Sequence, residues 1–215
     1  MALEIKKCIA EFLGSFILVL AVAMMAATTG NGFIVALTNG IALLAAIFIT
    51  LRISGAQINP VVTLALILAE KEEPARGASF MVSQLIGGLA AGGLLFFLLG
   101  SYTQYGVPAL GKDITFLQGI AAETVGTFVL VLTIFMVAID RRAEQYAKLA
   151  PFAISSALMA GVLLSGAISG GSLNPARALG PALFANLWQN HIVYWLGPVF
   201  GAVLAVLVYS YVLKE

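Results

Sequence analysis

Six apolar runs, each long enough to cross a bilayer, constrain this chain more than anything else in it. A spanning helix needs about 20 mostly apolar residues, because the hydrocarbon core is about 30 Å thick and a helix rises about 1.5 Å per residue. Runs of that length fall at about 9–27, 33–52, 78–99, 117–139, 151–168 and 191–212. The composition agrees: 61% of the 215 residues are hydrophobic and only 10% charged, against roughly 25% charged in a soluble domain. A water-soluble globule is excluded. The first run is too long for a signal peptide, holds Glu11 and lacks a clear cleavage site, so it counts as a span.

Two further apolar runs are too short to cross. Pro60 to Ala69 is stopped by Glu70, Lys71, Glu72 and Glu73, and Pro175 to Ala185 is stopped by Asn186. As helices each reaches about 15 Å, half the core, so two entering from opposite faces would meet near the middle. Basic residues orient the chain, because cytoplasmic loops collect Lys and Arg. With both termini inside, nine of the eleven fall on the cytoplasmic side and only Lys112 and Arg177 on the outer side. The count fits an even number of crossings.

The chain also resembles itself. Ala10–Leu20 (AEFLGSFILVL) aligns with Ala122–Leu132 (AETVGTFVLVL), Ser54–Pro60 (SGAQINP) with Ser169–Pro175 (SGGSLNP), and Gln84–Gly87 (QLIG) with Tyr194–Gly197 (YWLG), in the same order and at nearly constant offset. Each copy holds three crossings and one short run. Three is odd, so the second copy lies upside down relative to the first. The fold class expected is an all-α membrane protein with six transmembrane helices and two re-entrant half-helices in an inverted 3+3 repeat. It forms one domain over 1–215, with repeat 1 at about 1–100 and repeat 2 at about 112–215. Inverted repeats with broken helices place their site near the bilayer midplane.

Both short runs begin Asn-Pro: Asn59-Pro60-Val61 and Asn174-Pro175-Ala176. Pro suits the first helical position, where its missing N–H is not needed, and Asn is among the best N-caps. Each Asn oxygen then accepts a backbone N–H, and the amide NH₂ is expected to point outward as a pair of donors.

These residues match a known family. SGAQINPV and SGGSLNPARALGPAL resemble the two signature loops of the aquaporin, or major intrinsic protein, family, and the AEFLG start and YWLGP segment extend the resemblance over nearly the whole chain. The resemblance implies a right-handed bundle around a narrow pore, assembled as a homotetramer with one pore per subunit, conducting water and small uncharged solutes. Val61 stands where the family usually has Ala, and is expected to alter the packing of the half-helix tips and the pore width there. Two half-helix N-termini facing one another concentrate positive dipole ends, each about half an elementary charge, and so repel cations and protons.

By resemblance Arg177 is the arginine of the narrowest filter, with Asn39, Val162 and Gly171 as partners placed by spacing. A lone charge facing lipid costs about 2.5–3.5 kcal/mol, which also directs Arg177 to a watery cavity. The water-selective pattern has an aromatic residue and a histidine where this chain has Asn39 and Val162, so a wider and more polar opening is expected, passing water together with glycerol, urea, ammonia or undissociated metalloid acids. Ala178 and Tyr194-Trp195 resemble the water-channel branch instead, which splits the signal on substrate.

Glu11 and Glu123 occupy equivalent places at membrane depth. Either they accept backbone N–H groups where a loop turns into its half-helix, or they carry protons in an ion-coupled secondary transporter. A structural junction protein with little transport is a third class, unsupported by the short loops. One Cys (Cys8) and one His (His191) leave little for enzyme or metal chemistry, and no cofactor, metal or nucleic acid is expected. His191 reads as an interfacial polar residue, Cys8 as an apolar filler, and Gly88 with Gly92 and Gly197 with Gly201 and Ala205 as close-approach positions. Glu70 to Arg76 and Arg141-Arg142 read as solvated loops. Short loops and the lack of a targeting segment point to a cell (plasma or inner) membrane, in the prokaryotic manner.

Overall fold

The computed structural model describes residues 2–214. Among the described residues six helical spans are long and apolar enough to cross a membrane: α1 (Ala2–Thr29), α2 (Gly32–Ser54), α4 (Pro74–Leu99), α5 (Phe116–Ile134) with the π-helical turn that follows it, α6 (Ala150–Ser169), and α8 (Val193–Val208) with the π-helical turn that follows it. Two short α-helices, α3 (Pro60–Leu68) and α7 (Pro175–Ala185), and 3₁₀ segments at Gly100–Gly106 and Arg141–Tyr146 lie between them. Helices are the form that satisfies every backbone group within its own segment, as hydrocarbon requires.

The ends of the helices follow their local chemistry. Asn31 caps α2, its Oδ1 accepting from Phe33 N at 3.0 Å and Ile34 N at 3.2 Å. Gly55 and Gly170 end α2 and α6 in the left-handed conformation, at φ 93° and 83°, where a Cβ is unfavourable. Thr115 and Gln118 form a reciprocal capping box before α5. Two spans end within a residue of where the sequence reading has them, but in a different helical form. The α-helical part of α5 stops at Ile134 and continues as a π-helical turn over Phe135–Ile139, and α8 continues as one over Tyr209–Leu213. Apolar periodicity is blind to this change, because the side chains remain apolar through both turns.

The packing has the symmetry of the repeat. α1 lies against α2 and α4 as α5 lies against α6 and α8, and α2 meets α6 at the centre. Each half-helix packs on the last span of the other repeat, α3 on α8 and α7 on α4, so neither half is complete alone. α4 and α7 approach each other closely. A Cβ added to Gly88 would lie 2.4 Å from Ala176 O, one on Gly92 2.3 Å from Gly180 O, and one on Gly180 2.0 Å from Gly88 O. Only hydrogen fits there. With lipid outside, dispersion contact at such distances replaces the hydrophobic effect as the attraction between helices. Gly197 and Gly201 of α8 approach Ile120 O and Thr124 O of α5 in the same manner. The outward faces carry exposed apolar side chains, among them Phe48, Phe97 and Leu117.

Candidate pore

The loops before the two half-helices, 55–59 and 170–174, have the same backbone. Gly55, Ala56 and Ile58 lie at φ 93°, 55° and 57°, and Gly170, Gly171 and Leu173 at 83°, 61° and 53°. A β-branched Ile in the left-handed region is strained, so something must hold it. That group is Glu11. Its Oε1 accepts from Ser54 Oγ at 2.5 Å and Gln57 N at 3.0 Å, and its Oε2 from Ile58 N at 2.6 Å and Gln84 Nε2 at 2.7 Å. Glu123 repeats the arrangement with Ser169 Oγ at 2.6 Å, Ser172 N at 2.9 Å and Leu173 N at 2.7 Å. Both carboxylates are fully buried. They occupy the loop-bracing position rather than the cavity wall.

The strained residues aim their carbonyls across the molecular centre. Asn59 caps α3 through Val61 N at 3.1 Å, and its Nδ2 donates to Leu173 O of the opposite loop at 2.8 Å. Asn174 caps α7 through Ala176 N at 2.9 Å, and its Nδ2 donates to Ile58 O at 3.2 Å. An amide has two N–H groups, so this corrects the expected pair of free donors: each Asn uses one on the other repeat and keeps one. Pro60 and Pro175 take the first helical positions as expected.

Both asparagines line a narrow central cavity of ≈ 90 Å³, with Asn39 and Arg177 on the same wall. Val62 also faces it, whereas Val61 is buried in the apolar core and Ala176 sits against Gly88. Val61 is not among the residues that line this cavity, so its extra bulk bears on the packing of the half-helix tip, as expected, rather than on the cavity wall.

Arg177 joins this cavity to a second one of ≈ 240 Å³ that also contains Val35, Val162 and Gly170. Its Nη1 donates to Gly106 O at 3.1 Å, while Nε makes no protein hydrogen bond. Val162 and Gly171 are in direct contact range, since a Cβ on Gly171 would meet Val162 Cγ1 at 3.1 Å. Asn39 lies on the central cavity and Val162 on the outer one, with Arg177 common to both; Gly171 forms part of neither wall. Asn39 keeps part of its hydrogen-bonding capacity on its own helix. One N–H of its Nδ2 turns back to Val35 O at 2.9 Å, which leaves the second N–H and Oδ1 for the cavity.

Several contributing residues escaped the sequence reading. Ser54 and Ser169 recur at matching positions in the repeat, a signal that was available; Gly106, which holds Arg177 by its carbonyl, carries no signal. Gln57 also lines the central cavity, with Nε2 on Glu72 Oε2 at 2.7 Å. His191 lies beside Trp188, Tyr194 and Trp195 before α8, and partial burial pushes its pKa below the usual histidine value.

A profile of the Major intrinsic protein family matches residues 2–209. The chain belongs to that family. It is 34% identical to the probable aquaporin TIP3-2 of Arabidopsis thaliana, covering 98% of this chain and 84% of that protein. It is 37% identical to aquaporin AqpM of Methanothermobacter marburgensis, with 98% of each covered. In fold it is similar to the X-ray structure of the aquaglyceroporin from Plasmodium falciparum, at a TM-score of 0.82 and 20% identity over 97% of this chain and 96% of that one. Membership makes the chain a multi-pass membrane protein and a passive channel for water and small solutes, not an enzyme. The ion-coupled transporter has no support in it.

Proposed function

We propose that this channel conducts water together with small uncharged solutes such as glycerol, urea, ammonia or undissociated metalloid acids, and excludes protons and ions. One observation carries the reading: Asn59, Asn174, Asn39 and Arg177 share one narrow cavity. We read the selectivity filter as Arg177 with Asn39 on the central cavity and Val162 on the outer one, Gly171 packing behind Val162, and the pore motifs as Asn59-Pro60-Val61 and Asn174-Pro175-Ala176. Asn39 and Val162 in place of large rings leave room for a solute wider than water. Arg177 and the facing N-termini of α3 and α7 hold the axis positive, which opposes cations. The single N–H left on each Asn orients a passing water oxygen and weakens proton hopping along the file.

Glu11 and Glu123 are structural carboxylates in this reading. The whole of 1–215 is one channel domain of two inverted halves. It assembles as a homotetramer in the cell membrane with both termini cytoplasmic, consistent with the side to which most Lys and Arg fall.

Stopped-flow light scattering on proteoliposomes tests the reading. Expected are fast osmotic shrinkage with a low activation energy, insensitivity to proton and sodium gradients, and measurable glycerol or urea entry. Exclusion of both solutes would overturn the wide filter, and no permeability above empty liposomes would overturn conduction.

A further inference from the structure

A third concavity, apart from the two that share Arg177, lies where α5 and α8 end and α3 gives way to α4. It is a recess of ≈ 480 Å³ walled by Lys71, Arg141, Arg142 and Lys214, with Asp140 as its acidic member. The acid is already neutralised: Asp140 Oδ1 accepts from Arg142 Nε at 2.9 Å and Oδ2 from Arg142 Nη2 at 2.8 Å. Lys71, Arg141 and Lys214 are exposed and make no ion pair among the described residues. They come from three separate segments. Neighbouring Glu70 and Glu144 are exposed and likewise pair with none of them.

Three unpaired cations around one hollow repel each other unless an anion fills it. The surroundings say what kind of anion. Beside Lys214 the last turn of the chain leaves Tyr211 83% and Val212 72% exposed, and Ile139 and Tyr209 line the recess itself. A basic hollow continuous with an apolar flank, at the level where three membrane segments end, suits an amphiphile with an anionic head.

We infer that this recess binds the phosphate headgroup of an anionic phospholipid, with Lys71, Arg141 and Lys214 as its ligands and the acyl chains along the end of α8. Ile139 also lines the central cavity, so the bound headgroup sits one side chain away from the pore wall.

Native mass spectrometry of the full chain in detergent, titrated with phosphatidylglycerol or phosphatidylcholine, tests the site. The chain should hold phosphatidylglycerol at least about tenfold more tightly than phosphatidylcholine, and Lys71→Gln with Arg141→Gln should remove roughly that tenfold preference. A control of equal charge loss, Lys6→Gln with Arg52→Gln, should change it less than about twofold. Lys214→Gln alone gives an independent reading should the double variant not fold. Equal loss in the control, equal retention of both lipids, or displacement of the lipid by glycerol 3-phosphate at the same concentration would each overturn the assignment.

Discussion

Asn59 Nδ2 donates to Leu173 O at 2.8 Å, tying the cap of one half-helix to the loop that precedes the other. Its counterpart from Asn174 to Ile58 O closes the link from the opposite side. The two halves are thus joined by the same side chains that face the cavity, so permeation and stability should not be separable at these positions. Asn59→Asp keeps an N-cap oxygen but replaces the donor by an oxygen facing a carbonyl. The expected result is a loss of roughly 1–3 kcal/mol together with a fall in water permeability. Thermal unfolding in detergent and stopped-flow shrinkage should move together; a full-permeability, destabilised variant would contradict it.

Glu11→Gln and Glu123→Gln place an NH₂ against backbone N–H groups that now lack an acceptor. Each should cost roughly 1–3 kcal/mol, more at Glu11, which serves four donors, than at Glu123, which serves three. Water flux in the fraction that folds should show no new dependence on a proton or sodium gradient.

Gly180→Ala directs a methyl group to within 2.0 Å of Gly88 O. Backbone cannot yield as a flexible side chain can, so roughly 1–3 kcal/mol should be lost as α4 and α7 separate. Gly166→Ala, with nothing within 4 Å of its Cβ, should instead gain up to about 1 kcal/mol from reduced unfolded-state entropy in a helix interior. Melting temperatures of the two variants should shift in opposite directions.

Arg177→Ala removes the charge shared by the central and outer cavities. Glycerol and urea entry should rise by several-fold in proteoliposomes, and proton leak should rise with it. Asn39→Phe combined with Val162→His should reduce solute entry while water flux persists.

Partial burial disfavours the charged form of His191, so its pKa lies below the ordinary value. The unfolded chain therefore takes up a proton at a higher pH than the folded one. Its contribution to stability is present above the usual histidine pKa of about 6.5 and is lost as pH falls below it. Melting temperature should decline on acidification from pH 7 to 5 and do so less in His191→Phe, while permeability between pH 7 and 8 should be flat.

Much of this is legible in the sequence. Six spans, two half-helices and the duplication follow from length, period and motif, because hydrocarbon leaves a chain few options. The pairing of Glu11 with freed backbone N–H groups was likewise within reach, since a buried carboxylate needs donors and each loop must supply unpaired ones. The π-helical turn of α5 was not, because it changes hydrogen bonding without changing which residues are apolar.

The sequence by itself determined that the chain spans a membrane six times in two inverted halves and that two Asn-Pro caps and one arginine belong at its centre. Only the tertiary structure decided what those groups do with their hydrogen bonds. One N–H of each Asn goes to a carbonyl more than a hundred residues away, Asn39 turns one N–H back on its own helix, and Val61 faces the core. Composition and period report which residues must leave water. Which way a polar atom then points depends on partners brought together from distant segments, and no local pattern encodes that meeting.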